Sequence, residues 1–407
     1  MKRQIKKLSI DRLSRVEALL DGYLSEQKIA GYNCLISQHA EELAYFQNGL
    51  KDVARSKPID RSTVFRIYSM TKPITSVAMM QLYEQGLFQL DDPVHHYIPE
   101  WKDLEVFEAG DATNYTVSSA KQPMTIKDLF RHTAGLTYGF QHAHPVDEMY
   151  RNQGISSLVE GETLASMAKK MADIPLQFSP GTQWNYSVAT DVLGYLVEII
   201  SGQPLDVYFQ EHIFTPLGMH DTGFHIKPDQ ESRFAACYEY KPNSNEVGTH
   251  YGLQDDPEGS RYLKRPSLLS GGGGLVSTID DYYIFCKALL NKGEYRGVRI
   301  LGSKTVDFMA RNHLPLNQDL AQMSQSRFNE AKSHGVGFGL GFSVVMDAAQ
   351  SSVLCSEGEI AWGGMASTYF WIDFAEEIIV IFMTQLIPSG CYPIRNQLCA
   401  TVYQALE

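Results

Sequence analysis

The sequence Val64-Phe65-Arg66-Ile67-Tyr68-Ser69-Met70-Thr71-Lys72-Pro73-Ile74-Thr75 places a serine hydroxyl between a short apolar run and the first turn of a helix. The free N–H groups and the positive dipole end at a first turn favour a developing negative charge. Lys72 follows Ser69 by three residues and returns to the same helix face, where an amine can take the serine proton. The stretch therefore predicts a nucleophilic serine with its base, the alternative being an N-capping serine beside a solvated lysine.

The same Ser-x-x-Lys spacing occurs three more times, at Ser25/Lys28, Ser118/Lys121 and Ser166/Lys169. The first pair ends a helical pattern, the second lies in a turn-like run, and the third lies inside a helical pattern with no strand before it. Only Ser69 follows a strand-like run and opens a helix, which apolar residues continue at helical spacing as far as Gly86. Context therefore selects Ser69.

Composition narrows the class of protein. The chain has 407 residues, of which 44% are hydrophobic and 20% charged, as in a globular protein of one large domain with an insertion, or of two domains. The formal net charge of −12 argues against a nucleic-acid surface. The residues Leu8-Ser9-Ile10-Asp11-Arg12 lack the apolar run of a signal peptide, and no stretch is long enough to span a bilayer. We therefore expect a cytoplasmic protein without a membrane partner, and the oligomeric state stays open.

Neither a cofactor nor a metal is expected. The glycine run Gly271-Gly272-Gly273-Gly274 lacks the lysine of a phosphate-binding loop. The six cysteines lack paired Cys-x-x-Cys spacing and predict free buried thiols rather than disulfides or zinc ligands. These are Cys34, Cys237, Cys286, Cys355, Cys391 and Cys399.

The order of patterns along the chain predicts an α+β fold. Residues 10–26 form an amphipathic helix, and residues 31–37 and 42–49 form a hairpin. Near the other end, residues 335–345, 361–372 and 377–385 are each predicted to be one strand, and residues 393–405 the last helix. The N- and C-terminal parts are expected to build one antiparallel sheet, flanked by helices in a sandwich-like arrangement. The predicted domains are residues 1–90 with 267–407, and a mainly helical insertion of residues 91–266.

Three motifs in order carry a resemblance to a known family: Ser69-Met70-Thr71-Lys72, Tyr186-Ser187-Val188 and Trp362-Gly363-Gly364. The chain resembles the serine β-lactamase-like superfamily, specifically the family VIII carboxylesterases, which are related to class C β-lactamases and penicillin-binding proteins. Residues 129–136, 216–224 and 273–278 support the resemblance, which runs from about Asp11 to the C-terminus.

The resemblance implies that Ser69 is acylated and that Lys72 and Tyr186 activate it, without deciding which of the two is the base. By position, the backbone N–H groups of Ser69 and Met365 would form the oxyanion hole.

Two departures from the β-lactamase pattern bear on the substrate. Trp362 replaces a cationic residue, and Val188 replaces an asparagine that contacts the substrate amide in the relatives. With Gly363 and Gly364, these residues are expected to contact the substrate. The loss of polar groups favours a small, short-chain, neutral ester.

Other functions remain as alternatives. The same residues would serve a β-lactamase, a penicillin-binding or D-amino-acid peptidase-like enzyme, an acyltransferase, or a non-catalytic sensor that acylates once. A Gly-x-Ser-x-Gly elbow is absent from the sequence, which argues against an α/β-hydrolase. His142-Ala143-His144-Pro145-Val146-Asp147 resembles the start of a two-metal cluster, but the spacing after His144 does not fit.

Overall fold

The computed structural model describes residues 5–156, 161–242, 250–324 and 333–407. The α-helices are numbered in chain order: α1 Ile10–Ser25, α2 Thr71–Glu84, α3 Ile126–Phe130, α4 Pro145–Asn152, α5 Leu164–Met171, α6 Ala189–Ser201, α7 Leu205–Phe209, α8 Thr215–Leu217, α9 Ile279–Leu290, α10 Ser303–Met309, α11 Leu320–Met323, α12 Ala348–Ser351 and α13 Ile394–Tyr403. A π-helical turn, Gln210–Phe214, joins α7 to α8.

The strands are numbered in the same way: β1 Gly31–Gln38, β2 Glu41–Asp52, β3 Lys57–Pro58, β4 Phe65–Arg66, β5 Glu105–Gly110, β6 Tyr115–Ser119, β7 Cys237–Tyr240, β8 Tyr251–Asp255, β9 Val276–Ser277, β10 Glu294–Tyr295, β11 Val298–Arg299, β12 Val336–Phe338, β13 Ser343–Val345, β14 Ile360–Gly363, β15 Tyr369–Asp373, β16 Ile378–Met383 and β17 Leu386–Ile387.

One antiparallel sheet joins the two ends of the chain, as predicted. Its strand order is β12-β13-β14-β15-β16-β1-β2-β3, so that β16 from the C-terminal part pairs with β1 from the N-terminal part. Side chains alternate between the two faces with a period of two residues. Ile379, Ile381 and Leu35 lie in the larger apolar core, whereas Val380 and Cys34 lie in a second core.

The two cores make the molecule three layers thick. The second core fills the space between the sheet and the terminal helices α1 and α13, which pack on each other. The larger core lies on the opposite face and includes residues of α2, α6 and α9. It contains residues of both predicted domains, such as Val77, Leu193 and Leu289, and the domain limits remain a prediction.

Two predicted strands are wrong, because each is a hairpin. Residues 335–345 form β12 and β13, and Gly341 in the turn between them has φ +107°, a conformation that favours glycine. Residues 361–372 contain most of β14 and β15, joined by a turn in which Ser367 has φ +68°. In residues 335–345 the period of two continues on both sides of the turn, so the pattern resembles one long strand.

The structure also bears on the predicted turn at Ser118 and on the predicted free cysteines. The run around Ser118 is strand β6 rather than a turn, because it pairs with β5. All six cysteines are free, as predicted, and Cys355 and Cys391 are only partly buried. No helix in the described ranges combines the length and the apolar composition that crossing a membrane requires.

Candidate active site

Strand pairing places Ser69 beside the glycine run. Strand β4 pairs with β9, with Phe65 opposite Ser277, so the residues that follow β4 lie next to the residues that precede β9. The N–H of Ile67 donates to the carbonyl of Leu275 at 3.1 Å. Ser69 then lies in a 3₁₀ turn, Tyr68–Met70, directly before α2. The predicted strand-to-helix junction is confirmed, with one helical turn of tighter geometry inserted.

The Ser69 hydroxyl is contacted by both side chains that the sequence paired with it. The Lys72 Nζ donates to Ser69 Oγ at 3.2 Å, and the Tyr186 hydroxyl donates to the same oxygen at 2.7 Å. Tyr186 lies 117 residues after Ser69, just before α6. The structure therefore brings Ser69, Lys72 and Tyr186 together, while their catalytic roles remain predictions.

Two further acceptors surround Lys72. Its Nζ donates to the carbonyl of Gly272 at 2.6 Å and to the Tyr138 hydroxyl at 3.1 Å. With Ser69, these acceptors use all three N–H bonds of an ammonium group. A neutral amine keeps two N–H bonds for Gly272 and Tyr138, and its lone pair then faces Ser69.

Burial gives Lys72 an accessible neutral form. The side chain is fully buried, and burial lowers the pKa of Lys72 to about 7, an effect that the negative charge of Asp191 opposes. The amine therefore changes protonation near neutral pH, as a general base must.

His132 is a buried neighbour of the site that the sequence did not single out. Its ring lies 4.9 Å from the Tyr186 ring, centroid to centroid, and its Nδ1 is 3.2 Å from the Ser187 hydroxyl. Burial, and then the charge of Lys72, hold the pKa of His132 well below its ordinary value. A neutral imidazole therefore packs behind Tyr186. The only signal in the sequence was the 129–136 segment of the family resemblance.

The third motif lies against the Ser69 turn. A Cβ atom at Gly364 would come within 2.5 Å of the Ile67 carbonyl oxygen and within 2.2 Å of Thr368 Oγ1, so only glycine fits there. Within the described ranges, the N–H groups of Ser69 and Met365 donate to no protein acceptor. Two unused donors on adjoining turns support the predicted oxyanion hole.

Trp362 and Val188 are more deeply buried than expected of substrate contacts. Trp362 is 4% exposed and packs against Tyr186 and Phe338, with ring centroids 5.4 and 5.2 Å apart. Val188 is 1% exposed and is the N-cap residue of α6, and its N–H donates to Thr137 at 3.3 Å. Trp362 packs on Tyr186 and Val188 is buried at the start of α6, and direct contact of either with substrate stays a prediction.

A cation does lie beside the third motif, although the strand itself carries none. Arg395 of α13 covers Gly363, where a Cβ atom would come within 2.3 Å of its Nη2. The same nitrogen donates to the carbonyls of Gly364 and Thr368 at 3.1 Å each. The guanidinium therefore supports the turn that carries Met365.

The segment of residues 142–147, whose spacing did not fit a two-metal cluster, leads into helix α4. His144 is the N-cap of α4 and accepts a hydrogen bond from the N–H of Val146 through Nδ1. Asp147 accepts at one oxygen from Thr137 and Gln177, and at the other from two backbone N–H groups. The described ranges contain no group of three or more His, Cys, Asp or Glu residues placed to hold a metal ion.

Comparison with known proteins gives consistent matches over most of the chain. The family model described as Beta-lactamase matches residues 16–398. Protein Rv1367c of Mycobacterium tuberculosis is 32% identical over 364 residues, which cover 89% of this chain and 87% of that protein. Esterase EstB of Burkholderia gladioli is 29% identical over 391 residues, covering 93% and 91% of the two chains. The solved structure of EstCE1, a hydrolase with promiscuous acyltransferase activity, superposes with a TM-score of 0.80 at 27% identity and covers 97% of this chain and 99% of EstCE1.

Proposed function

Because the chain belongs to the beta-lactamase family and is a serine hydrolase, we propose that it is a carboxylesterase acting on small, short-chain, neutral esters. The observation that carries the proposal is the Ser69 hydroxyl, held at the start of α2 by hydrogen bonds from both Lys72 and Tyr186. Neither an N-capping role nor a packing role of Ser69 requires these two partners.

The proposed reaction begins with neutral Lys72. Its lone pair takes the proton of Ser69 Oγ, which attacks the ester carbonyl carbon, and the N–H groups of Ser69 and Met365 stabilise the oxyanion. As the tetrahedral intermediate collapses to an acyl-enzyme, the alkoxide leaving group takes a proton from Tyr186, which takes one in turn from protonated Lys72 and so restores the neutral amine. Water activated by the same base then releases the acid and restores Ser69.

The donors and acceptors around Ser69 favour Lys72 over Tyr186 as the base. Tyr186 points its proton at Ser69 Oγ, so it is placed to protonate the departing alkoxide rather than to accept the serine proton. Lys72 has a lone pair for that proton once Gly272 and Tyr138 hold its two N–H bonds. Lys72 then acts as the base and Tyr186 as the proton donor, both when the acyl-enzyme forms and when water hydrolyses it.

The surroundings of the nucleophile favour an uncharged substrate. Phe140 is 54% exposed and stacks on Tyr138, with ring centroids 4.8 Å apart, and the Tyr138 hydroxyl in turn bonds to Lys72. An exposed aromatic ring next to the catalytic lysine offers apolar contact to an acyl or alcohol group.

A short-chain nitrophenyl ester is expected to be hydrolysed with higher kcat/KM than a chromogenic cephalosporin. The cephalosporin carries a carboxylate, and the strand position where relatives hold it with a cation is Trp362. A missing charge-assisted hydrogen bond costs about 1.5–3 kcal/mol, or roughly one to two decades in rate if it acts in the transition state. Equal or greater efficiency on the cephalosporin would contradict the esterase proposal and favour a β-lactamase that uses Arg395 as its cation.

Chelation is expected to leave the rate of ester hydrolysis unchanged. The oxygens of Asp147 and the Nδ1 of His144 already accept hydrogen bonds, so these candidate ligands of the histidine motif are occupied. The measurement is the rate after prolonged dialysis against EDTA. A rate that falls and is restored by zinc would transfer the chemistry to His142 and His144.

Acyl transfer to an alcohol is the second candidate function, because the similar EstCE1 is described as a hydrolase with promiscuous acyltransferase activity. Both reactions share the acyl-enzyme and differ only in whether water or an alcohol attacks it. Adding an alcohol acceptor and measuring ester product against free acid separates them. A sensor that acylates once would release one equivalent of nitrophenolate and then stop.

We further propose that the protein works in the cytoplasm, in keeping with its six free cysteines, which a reducing compartment allows. We also propose two domains, one formed by residues 1–90 with 267–407 and the other by residues 91–266. The nucleophile helix α2 lies at the boundary between them.

A further inference from the structure

Asp191 is a buried carboxylate in the first turn of α6, five residues after Tyr186, and it does not contact Ser69. One of its oxygens, Oδ1, accepts hydrogen bonds from the Ser270 hydroxyl and from the N–H of Gly272 at 3.0 Å. Its position in the first turn places the negative charge at the positive end of the helix dipole. The carboxylate therefore binds the glycine run at Ser270 and Gly272.

Gly272 connects Asp191 to the catalytic lysine. Its N–H bonds to Asp191, and its carbonyl accepts the hydrogen bond from Lys72 Nζ at 2.6 Å. A Cβ atom at Gly272 would come within 2.6 Å of the second oxygen of Asp191, so a side chain there would displace the carboxylate. The preceding carbonyl, that of Gly271, accepts from Thr75 of α2 at 2.7 Å. The glycine run is therefore hydrogen-bonded to both α2 and α6.

The groups facing Lys72 come from several elements. Tyr138 and His132 contribute no charge at neutral pH, because burial raises the pKa of Tyr138 and lowers that of His132 well beyond their ordinary values. Tyr186 presents its protonated hydroxyl to Ser69. Asp191 supplies the negative charge that opposes the effect of burial on the pKa of Lys72.

We propose that Asp191 is a positioning residue for the Ser69–Lys72 pair, which holds the Gly272 carbonyl on Lys72 and places a carboxylate near the amine. The inference rests on the proposed function of Lys72 as the base. Helix α6 then contributes Asp191 to the site, in addition to placing Tyr186.

The proposed role of Asp191 predicts the direction in which the pH profile of kcat/KM should move when its charge is removed. Lys72 acts as the free amine, so kcat/KM rises as the pH passes upward through the pKa of Lys72, which is about 7. The charge of Asp191 favours the protonated amine and therefore keeps this acid limb at higher pH. Removing the charge should move the limb to lower pH, by about one unit or more if the carboxylate acts at close range.

The test compares Asp191→Asn and Asp191→Ser with the matched control Asp281→Asn, which alters another buried carboxylate that accepts hydrogen bonds from Asp221 and Thr222. The pH profile of kcat/KM is measured on a nitrophenyl ester. In parallel, the rate at which diethyl p-nitrophenyl phosphate modifies Ser69 is measured. In that step the Ser69 Oγ–phosphorus bond forms, p-nitrophenolate leaves, and the serine proton passes to Lys72.

The expected result is an acid limb shifted to lower pH in both Asp191 variants and unmoved in Asp281→Asn. A uniformly lower rate with an unmoved limb would overturn the proposal, as would failure of both variants to fold, since Asp191 would then be a structural requirement. A protein that is phosphorylated at Ser69 with the expected profile but turns over no ester would contradict the esterase function and still support the role of Asp191.

Discussion

Ser69→Ala is expected to lower kcat/KM for a short-chain nitrophenyl ester by about four to six orders of magnitude, as nucleophile removal does in other serine hydrolases. The substitution removes the oxygen to which both Lys72 and Tyr186 are hydrogen-bonded, and with it the acyl-enzyme route. The residue is half-buried in a short turn, so the loss of one hydroxyl should leave folding intact.

The matched control for this prediction is Ser166→Ala, which alters another serine of the same spacing. Ser166 lies in the first turn of α5, where its hydroxyl accepts a hydrogen bond from the N–H of Thr163 and donates one to Glu162. Its loss should weaken a helix cap by about 0.5–2 kcal/mol and leave the rate unchanged. Intact mass spectrometry after brief exposure to the ester should find the acyl group on the wild-type protein and not on Ser69→Ala. The opposite pattern, with activity lost in Ser166→Ala alone, would end the assignment of Ser69.

Lys72→Met is expected to lower kcat/KM by about two to four orders of magnitude, the range of general-base catalysis, and to abolish the acid limb near pH 7. Methionine fills much of the same buried space without a titrating group. Tyr186→Phe keeps the ring that packs against Trp362 and His132 and removes only the hydroxyl. It should lower kcat while the acid limb stays in place.

The pair of variants distinguishes the two candidates for the base. If Tyr186→Phe abolishes the acid limb and Lys72→Met keeps it, tyrosine is the base and the donor–acceptor argument is wrong. The comparison uses pH profiles rather than single rates, because a general loss of activity would follow from either substitution. Thermal unfolding of both variants checks that each change acts on the reaction rather than on the fold.

Sequence patterns were sufficient where structure depends on near neighbours. The placement of Lys72 one turn after Ser69 follows from the helical repeat. The patterns of residues 31–37 and 377–385 predicted strands, and their positions at the two ends of the chain predicted one shared sheet. The family motifs added Tyr186, which no local pattern would have selected.

Patterns failed where a turn interrupts a regular repeat. The hairpin between β14 and β15 was predicted to be one buried strand, because residues 361–372 are mostly apolar. A tight turn depends on backbone angles such as the positive φ of Ser367, and neither hydrophobicity nor spacing encodes those angles reliably. The error matters for function, since that turn carries Met365.

The sequence by itself determined the nucleophile helix, the two-ended antiparallel sheet and the three motifs, because each depends on local periodicity or on a short run of residues. Tertiary structure alone decided what surrounds Lys72. Tyr138 and Gly272 are 66 and 200 residues from it along the chain, and they bond to its amine only because α2, α6 and the glycine run pack together. The pKa of Lys72 follows from that packing, since it depends on burial and on the charge of Asp191, and no spacing in a sequence measures either.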